Sequence, residues 1–169
     1  MDYKIKIGFS RPIKWKMFAW LIMKAYRINY DHVFISLNSA KYERELIYQA
    51  SHTKVNFIGR ILFLQDNLII KEFEIDVTPE NYKALMQFAI DNVGKPYGIK
   101  EAIGLGIVRL AEIFGKKIKN PFGDSGRTYI CSELGGYVLK QFTNFKNLDI
   151  DCDNLNPQQL ERYLSSLIK

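Results

Sequence analysis

One cysteine of this chain stands where the sequence predicts the start of a helix. Apolar residues recur at helical spacing from Leu134 to Phe142, and Ser132 and Glu133 favour a first turn, so we predict a helix that begins at or beside Cys131. The unpaired N–H groups and the positive end of a helix dipole stabilise a thiolate at that position. Cys131 is therefore a candidate nucleophile, and a buried structural cysteine is the alternative.

A nucleophilic thiol needs a base, and the chain contains two histidines, His32 and His52. His52 falls in a short polar turn between two predicted strands, where a solvated loop residue is the simpler interpretation. His32 stands at the entry of an apolar, alternating strand. An imidazole takes the thiol proton and later donates one to the leaving group, while a third polar group holds its other nitrogen. Gln49, on the next predicted strand, is the candidate for that third position.

The elements that must position these residues follow from periodicity and turn signals. We predict strands over Tyr3–Phe9, Tyr30–Leu37, Glu45–Ser51, Lys54–Ile58 and Leu68–Val77. Helices are predicted over Ile13–Tyr26, Pro79–Asn92 and Ile99–Phe114, from beside Cys131 onward, and from Pro157 to Leu167. A turn is predicted at Gly94–Gly98 and a surface loop at Gly115–Arg127. We expect one α+β domain over residues 1–169.

Composition narrows the functional classes. The chain has 169 residues, 47% of them hydrophobic, and a net charge of +6, which fits one domain with a substantial core. Its lysines are spread along the chain, so a solvated surface is favoured over a nucleic-acid site.

Cys152, the second cysteine, lies among carboxylates that disfavour its thiolate. The two cysteines indicate no disulfide framework and fit a reducing compartment, and we expect no cofactor or metal.

The sequence shows no secretory signal, since it opens with an alternating segment. The segment Trp15–Met23 is strongly apolar, but Lys14, Lys16 and Lys24 interrupt it well below the roughly 20 residues needed to span a bilayer. We expect an amphipathic helix on the core, whose aromatic residues are available to a substrate or a membrane surface.

Four short segments have a characteristic order along the chain. They are Tyr30-Asp31-His32-Val33-Phe34-Ile35, Ile47-Tyr48-Gln49-Ala50-Ser51, Gly94-Lys95-Pro96-Tyr97-Gly98 and Tyr129-Ile130-Cys131-Ser132-Glu133-Leu134. This order resembles the circularly permuted NlpC/P60 cysteine hydrolases, in particular the YiiX-like group, from about Lys4 to Gln141. The resemblance implies a permuted papain-like core, in which an antiparallel sheet packs against helices and the histidine strand precedes the cysteine helix.

Carried over to this chain, the family pattern makes Cys131 the nucleophile, His32 the base and Gln49 the orienting residue. The YiiX-like proteins usually have Glu where this chain has Gln49. Glutamine accepts a hydrogen bond from the imidazole but does not stabilise the imidazolium as a carboxylate would. The family often has an acidic residue after the tyrosine of the Gly-Lys-Pro-Tyr-like turn, whereas Gly98 follows Tyr97 here.

The resemblance thus implies a cysteine hydrolase or acyltransferase, a thiol amidase, peptidase or acyl hydrolase that cleaves its substrate through a thioester on Cys131. The oxyanion would be held by the backbone N–H of Cys131 and a donor near Ser10, with Tyr97 as a further substrate contact. Peptide, acyl and lipid-linked substrates remain open. The alternative is a non-catalytic binding or structural module, such as a virion or membrane-surface component. We expect a cytoplasmic or phage-associated protein.

Overall fold

A computed structural model describes residues 3–39, 44–51, 53–122, 128–145 and 148–168. Within these ranges the strands are β1 (Tyr3–Pro12), β2 (His32–Ser39), β3 (Arg44–Ala50), β4 (Val55–Gly59) and β5 (Asn67–Val77). They form an antiparallel sheet in the order β4-β3-β2-β1-β5. The strand that begins with His32 is therefore the centre of the sheet.

Helices connect and cover the strands. Among the described residues they are α1 (Met17–Tyr26), α2 (Arg60–Asp66), α3 (Pro79–Asn92), α4 (Ile99–Ile113), α5 (Cys131–Phe142) and α6 (Pro157–Leu167), with a 3-10 turn at Cys152–Asn154. The predicted α+β class, with helices on an antiparallel sheet and one helix starting at the cysteine, is confirmed. Within the described ranges, no helix is both long and apolar enough to cross a bilayer.

The predicted boundaries need correction in the first third of the chain. Helix α1 begins at Met17 and not at Ile13, because β1 continues to Pro12, where it pairs with β5 past an irregularity between Phe9 and Ser10. The N–H of Ile13 then binds the carbonyl oxygen of Asp66 at 2.9 Å, outside any helix. Residues 123–127 of the predicted surface loop lie outside the described ranges.

Helix α2 was not predicted, and it gives the sheet a second covered face. Alternation along β2 directs Val33 and Ile35 to the larger core, which also contains residues of α3, α5 and α6. Phe34 points the opposite way and packs with Ile47 and with Phe63 of α2. The two faces therefore have separate apolar clusters, and His32 shares the side of β2 that carries Phe34.

Two glycines allow helix α5 to lie close against its neighbours. A Cβ atom at Gly135 would lie 2.9 Å from Cγ1 of Val33 and 2.8 Å from Cδ2 of Leu160. At Gly136 it would overlap Cδ2 of Leu155. Because neither position carries a side chain, α5 packs directly on the start of β2. This close packing brings the first residue of α5, Cys131, to the end of the sheet where His32 lies.

Candidate active site

Cys131 is the first residue of α5, and its side chain is only 6% exposed. The backbone N–H groups of Val33, Ser132 and Cys131 itself lie near enough to the sulfur to lower the pKa of the thiol. Val33 directly follows His32, so the start of β2 lies against the thiol. The predicted cysteine at a helix N-terminus is thus confirmed in position, and it is in contact with the predicted histidine strand.

The electrostatic environment of the thiol differs from the one that a helix N-terminus alone would give. Burial raises the pKa of Cys131 to about 11, and the nearby carboxylate of Asp31 adds to the rise. The three N–H groups act in the expected, opposite direction, because they favour the thiolate, but burial outweighs them. In the structure without substrate, Cys131 is therefore a neutral thiol that needs a base to become nucleophilic.

His32 is held in one orientation by Gln49. Nε2 of the ring lies 2.7 Å from Oε1 of Gln49. An amide oxygen only accepts hydrogen bonds, so Nε2 carries the proton and Nδ1 of the neutral ring is left as the basic nitrogen. The predicted third residue thus contacts the predicted base.

The orientation of the Gln49 amide is fixed in turn by a chain of polar groups on β3 and β4. Nε2 of Gln49 donates to Oδ1 of Asn56 at 3.3 Å, and Nδ2 of Asn56 donates to Oγ of Ser51 at 3.1 Å. The Ser51 hydroxyl donates to the carbonyl oxygen of Lys54 at 3.2 Å. A carbonyl oxygen accepts only, so the direction of every bond back to His32 is determined.

Asn56 was not identified from the sequence, although a signal was present. Gln49 and Asn56 are direct partners in the β3–β4 register, and both lie in the predicted hairpin at equal distance from its turn. Directly opposed polar side chains of an antiparallel pair are close enough to interact. His52, in the same turn, lies outside the described residues.

His32 and Cys131 line two adjoining cavities. Cys131 lines a cavity of about 190 Å³ between α1 and α4, and His32 lines one of about 290 Å³. Three residues line both, namely Ile22, Asp31 and Tyr97. The ring of His32 is also 6.4 Å from that of Phe63, measured between centroids. Approach of Nδ1 of His32 to the thiol within hydrogen-bonding distance remains a prediction.

Tyr97 is brought to the thiol by the turn that precedes α4. The N–H of Gly98 binds the carbonyl oxygen of Tyr129 at 3.0 Å, which ties this turn to the segment just before Cys131. Burial raises the pKa of Tyr97 well above its usual value, and the neighbouring side chains of Cys131 and Asp31 raise it further. Tyr97 is therefore a neutral hydrogen-bond donor beside the sulfur.

Asp31 is a functional candidate that sequence reasoning missed. Its Oδ1 atom is buried and has no hydrogen-bond partner in the described part of the chain. Burial raises its pKa from 3.8 to about 6, opposed by a backbone hydrogen bond and by the charge of Lys16. A carboxylate at the entry of an apolar strand was the available signal. Asp31 is close enough to Cys131 and Tyr97 to raise the pKa of both.

Ser10 belongs to β1, where it pairs with His32 in the sheet register. A hydrogen-bond donor near Ser10 for the oxyanion stays a prediction. The hydroxyl of Ser10 is buried without a partner among the described residues, and Ser10 is not one of the described residues that line either cavity. Its carbonyl oxygen accepts the N–H of Asp31 at 3.1 Å. Ser10 therefore stabilises the backbone at Asp31 and His32, where β2 begins.

Cys152 lies in the 3-10 turn, outside both cavities as the described residues define them. Both cysteines are free. Burial raises the pKa of the Cys152 thiol to about 11, and nearby Glu133, Asp153 and Asp151 raise it further, while Lys140 lowers it. The carboxylates thus act on this thiol as the sequence indicated, although burial is the larger cause.

Comparison with known proteins does not assign the chain to a family, since no protein-family model and no curated protein matches it. The arguments for a function therefore rest on the residues of the site and on their geometry.

Proposed function

We propose that the protein is a cysteine hydrolase or acyltransferase that cleaves an ester or amide through a thioester on Cys131, with a permuted NlpC/P60-like arrangement of its catalytic residues. The main support is the 2.7 Å contact between Nε2 of His32 and Oε1 of Gln49. It makes Nδ1 the basic nitrogen of the neutral ring, and His32 begins a strand whose next residue, Val33, has its backbone N–H near the sulfur.

The first half of the reaction forms the thioester. Nδ1 of His32 accepts the proton of the Cys131 thiol, and the sulfur attacks the carbonyl carbon of the substrate. The resulting imidazolium keeps its Nε2 proton on Gln49. Asp31 lines both cavities and is the acidic residue that they share. The imidazolium then protonates the departing amine or alkoxide, and the carbonyl re-forms as a thioester.

The second half releases the acyl group. His32 is neutral again and accepts a proton from water or from an acceptor alcohol or amine, whose oxygen or nitrogen attacks the thioester. The leaving thiolate takes the proton back from the ring. Water gives a hydrolase and another acceptor gives an acyltransferase.

The oxyanion in both halves requires hydrogen-bond donors beside the sulfur. The backbone N–H of Cys131 is one candidate, and the neutral phenol of Tyr97 is another. A phenol with a raised pKa stays protonated and donates a hydrogen bond to developing negative charge.

The cavity around Cys131 favours an apolar acyl group. Its lining includes Leu21, Ile22, Ala25, Leu105 and Ile130. Burial of hydrocarbon against these side chains is favourable at about 25 cal/mol per Å² of apolar surface. An acyl ester or acyl amide fits this lining better than a charged peptide does.

A second candidate function is a non-catalytic binding module that retains the fold. The observation in its favour is the burial of Cys131, which raises the pKa of the thiol to about 11. A thiol of this kind is unreactive unless His32 removes its proton, so the two functions differ in a measurable reaction.

Acylation by para-nitrophenyl octanoate tests the proposal. Intact-mass and peptide analysis of the wild type should find an octanoyl group on Cys131, and the same adduct should form in Cys152→Ser. Cys131→Ser should carry none, and His32→Ala should reduce nitrophenol release by about 100-fold or more. Acylation of Cys152, or undiminished release by Cys131→Ser, would overturn the proposal.

A further inference from the structure

Helices α1 and α4 lie side by side and expose apolar side chains. The hydroxyl of Tyr26 donates to the carbonyl oxygen of Leu105 at 3.2 Å, and Nε of Arg109 donates to that of Ala25 at 3.1 Å. These bonds connect the two helices. The exposed apolar residues used in the argument, which we call the α1–α4 face, are Met17, Trp20, Leu21, Ile103, Ile107 and Leu110.

The apolar residues of the two helices meet at the cavity that contains the thiol. Leu21 is 48% exposed and Ile103 is 51% exposed, yet both also line the cavity of Cys131. On α4 the spacing of Ile103, Ile107 and Leu110 places them on one side of the helix. The α1–α4 face is therefore continuous across the mouth of the cavity.

The two segments of the chain that contain α1 and α4 carry an excess of positive charge. Residues 11–27 contain five lysines and arginines and no aspartate or glutamate. Residues 99–119 contain another five, with two acidic residues. Of these two, Glu101 is buried, and Glu112 is paired with Arg109 at 2.9 Å. The charge that the two segments present to solvent is therefore strongly positive.

An apolar helix face with tryptophan and flanking lysines matches the interface of a bilayer. Such helices lie in the plane of the membrane, with apolar side chains among the acyl chains and cationic groups at anionic headgroups. Trp15, which precedes α1, and Trp20, on α1, are the only tryptophans in the sequence and are 73% and 43% exposed. A protein partner would have to offer both an apolar surface and many carboxylates, whereas an anionic bilayer has the two properties together.

We propose that the α1–α4 face docks on the surface of an anionic lipid bilayer. Docking itself does not depend on the reactivity of Cys131. A consequence that does rest on the proposed function is that the cavity mouth then faces the membrane, so an acyl group of a lipid reaches the thiol without crossing water. The substrate class would be acyl lipids.

Tryptophan fluorescence and vesicle flotation test the docking. With vesicles of phosphatidylcholine and phosphatidylserine, the emission of the wild type should shift to the blue and the protein should float with the lipid. Vesicles of phosphatidylcholine alone, or high salt, should weaken the binding by about tenfold. Cys131→Ser should bind as well as the wild type, which separates docking from catalysis.

A matched pair of double variants locates the surface. Ile107→Glu with Leu110→Glu should lower vesicle partitioning by about tenfold or more, since two apolar anchors are replaced by repelled charges. Ile61→Glu with Leu62→Glu changes two exposed apolar residues of α2 by the same charge and should keep most of the binding. Circular dichroism establishes that both variants are folded.

Three results would overturn the proposal. They are the absence of any emission shift in the wild type with anionic vesicles, an equal loss of binding in the two double variants, and self-association that covers the tryptophans without lipid. The last result, detected by light scattering, would assign the face to a second copy of the chain.

Discussion

Oε1 of Gln49 lies 2.7 Å from Nε2 of His32, where a carboxylate would form an ion pair with the ring. The contact fixes the tautomer of the imidazole without adding a negative charge to it. The basicity of His32 therefore depends on a neutral partner. Substitution of Gln49 tests this dependence.

Replacing Gln49 should change the pH dependence of the thiol. Gln49→Glu should raise the pKa of His32, because a carboxylate favours the imidazolium. The alkylation rate of Cys131 should then remain high to lower pH. Gln49→Ala should leave the fold intact and lower the rate, since the ring loses its fixed orientation. If neither variant alters the profile, His52 or a backbone carbonyl becomes the candidate for the third position.

Asn56 should affect the same reaction indirectly. It accepts from Nε2 of Gln49 at 3.3 Å, so Asn56→Ala frees the amide to rotate and to present its NH₂ group to His32. Loss of one hydrogen bond of about 1 kcal/mol predicts roughly a fivefold slower alkylation of Cys131. Gln87→Ala is the matched control, because the Gln87 amide is exposed and binds Asp91 at 2.9 Å on α3. Equal rates in the two variants would remove Asn56 from the site.

Asp31 should make the stability of the protein depend on pH. Folding raises the pKa of its carboxyl from 3.8 to about 6. The folded state thus binds the proton of this carboxyl more tightly than the unfolded state does. The stabilisation that results from protonation of Asp31 is fully present below about pH 4 and is lost as the pH rises through about 6. Asp31→Asn should raise the free energy of unfolding at pH 7 by roughly 1–3 kcal/mol. It should also lower the pKa of Cys131, since a neighbouring negative charge is removed.

Urea unfolding of both proteins at about pH 4 and about pH 7 measures this effect of Asp31. The gain from Asp31→Asn should be confined to the higher pH. Asp91→Asn, at an exposed carboxylate of α3, is the control and should show little change. An equal gain at both pH values would contradict a titrating, buried carboxyl.

The close approach of α5 to β2 should be sensitive to one methyl group. Gly135→Ala places a Cβ atom 2.9 Å from Cγ1 of Val33, so it should lower the free energy of unfolding by about 1–3 kcal/mol and displace Cys131. Gly106→Ala is the control, because a Cβ atom there meets nothing within 4 Å and alanine favours a helix. Unfolding curves in urea compare the two, and a Gly135→Ala protein as stable as the wild type would contradict the packing argument.

The sequence predicts most of the elements because their signals are local. Alternation defines the strand that carries His32, and Asn156 with Pro157 marks the start of α6, where the Asn156 side chain accepts the N–H of Gln159 at 2.9 Å. Helix α2 was missed because its seven residues have no side-chain cap at their start and are stabilised through Phe63, which packs on the sheet.

The electrostatics of the site are not predictable in the same way. The position of Cys131 at a helix start follows from its neighbours, but its burial depends on how α1, α4 and β2 pack around it. Burial reverses the pKa shift that the helix N-terminus alone would give. Asp31 has a sequence signal in its place at the entry of an apolar strand, but its contact with both cavities depends on how the helices pack.

Alkylation by iodoacetamide, followed separately at Cys131 and Cys152, tests the proposed chemistry most directly. Burial and nearby charges raise the pKa of both thiols to about 11, and Cys131 is the more buried of the two. Without a base, Cys131 should therefore react no faster than Cys152. The proposal predicts that Cys131 reacts at least about tenfold faster in the wild type and falls to the rate of Cys152 in His32→Ala. Equal rates in the wild type, or a fast Cys131 that does not depend on His32, would contradict it.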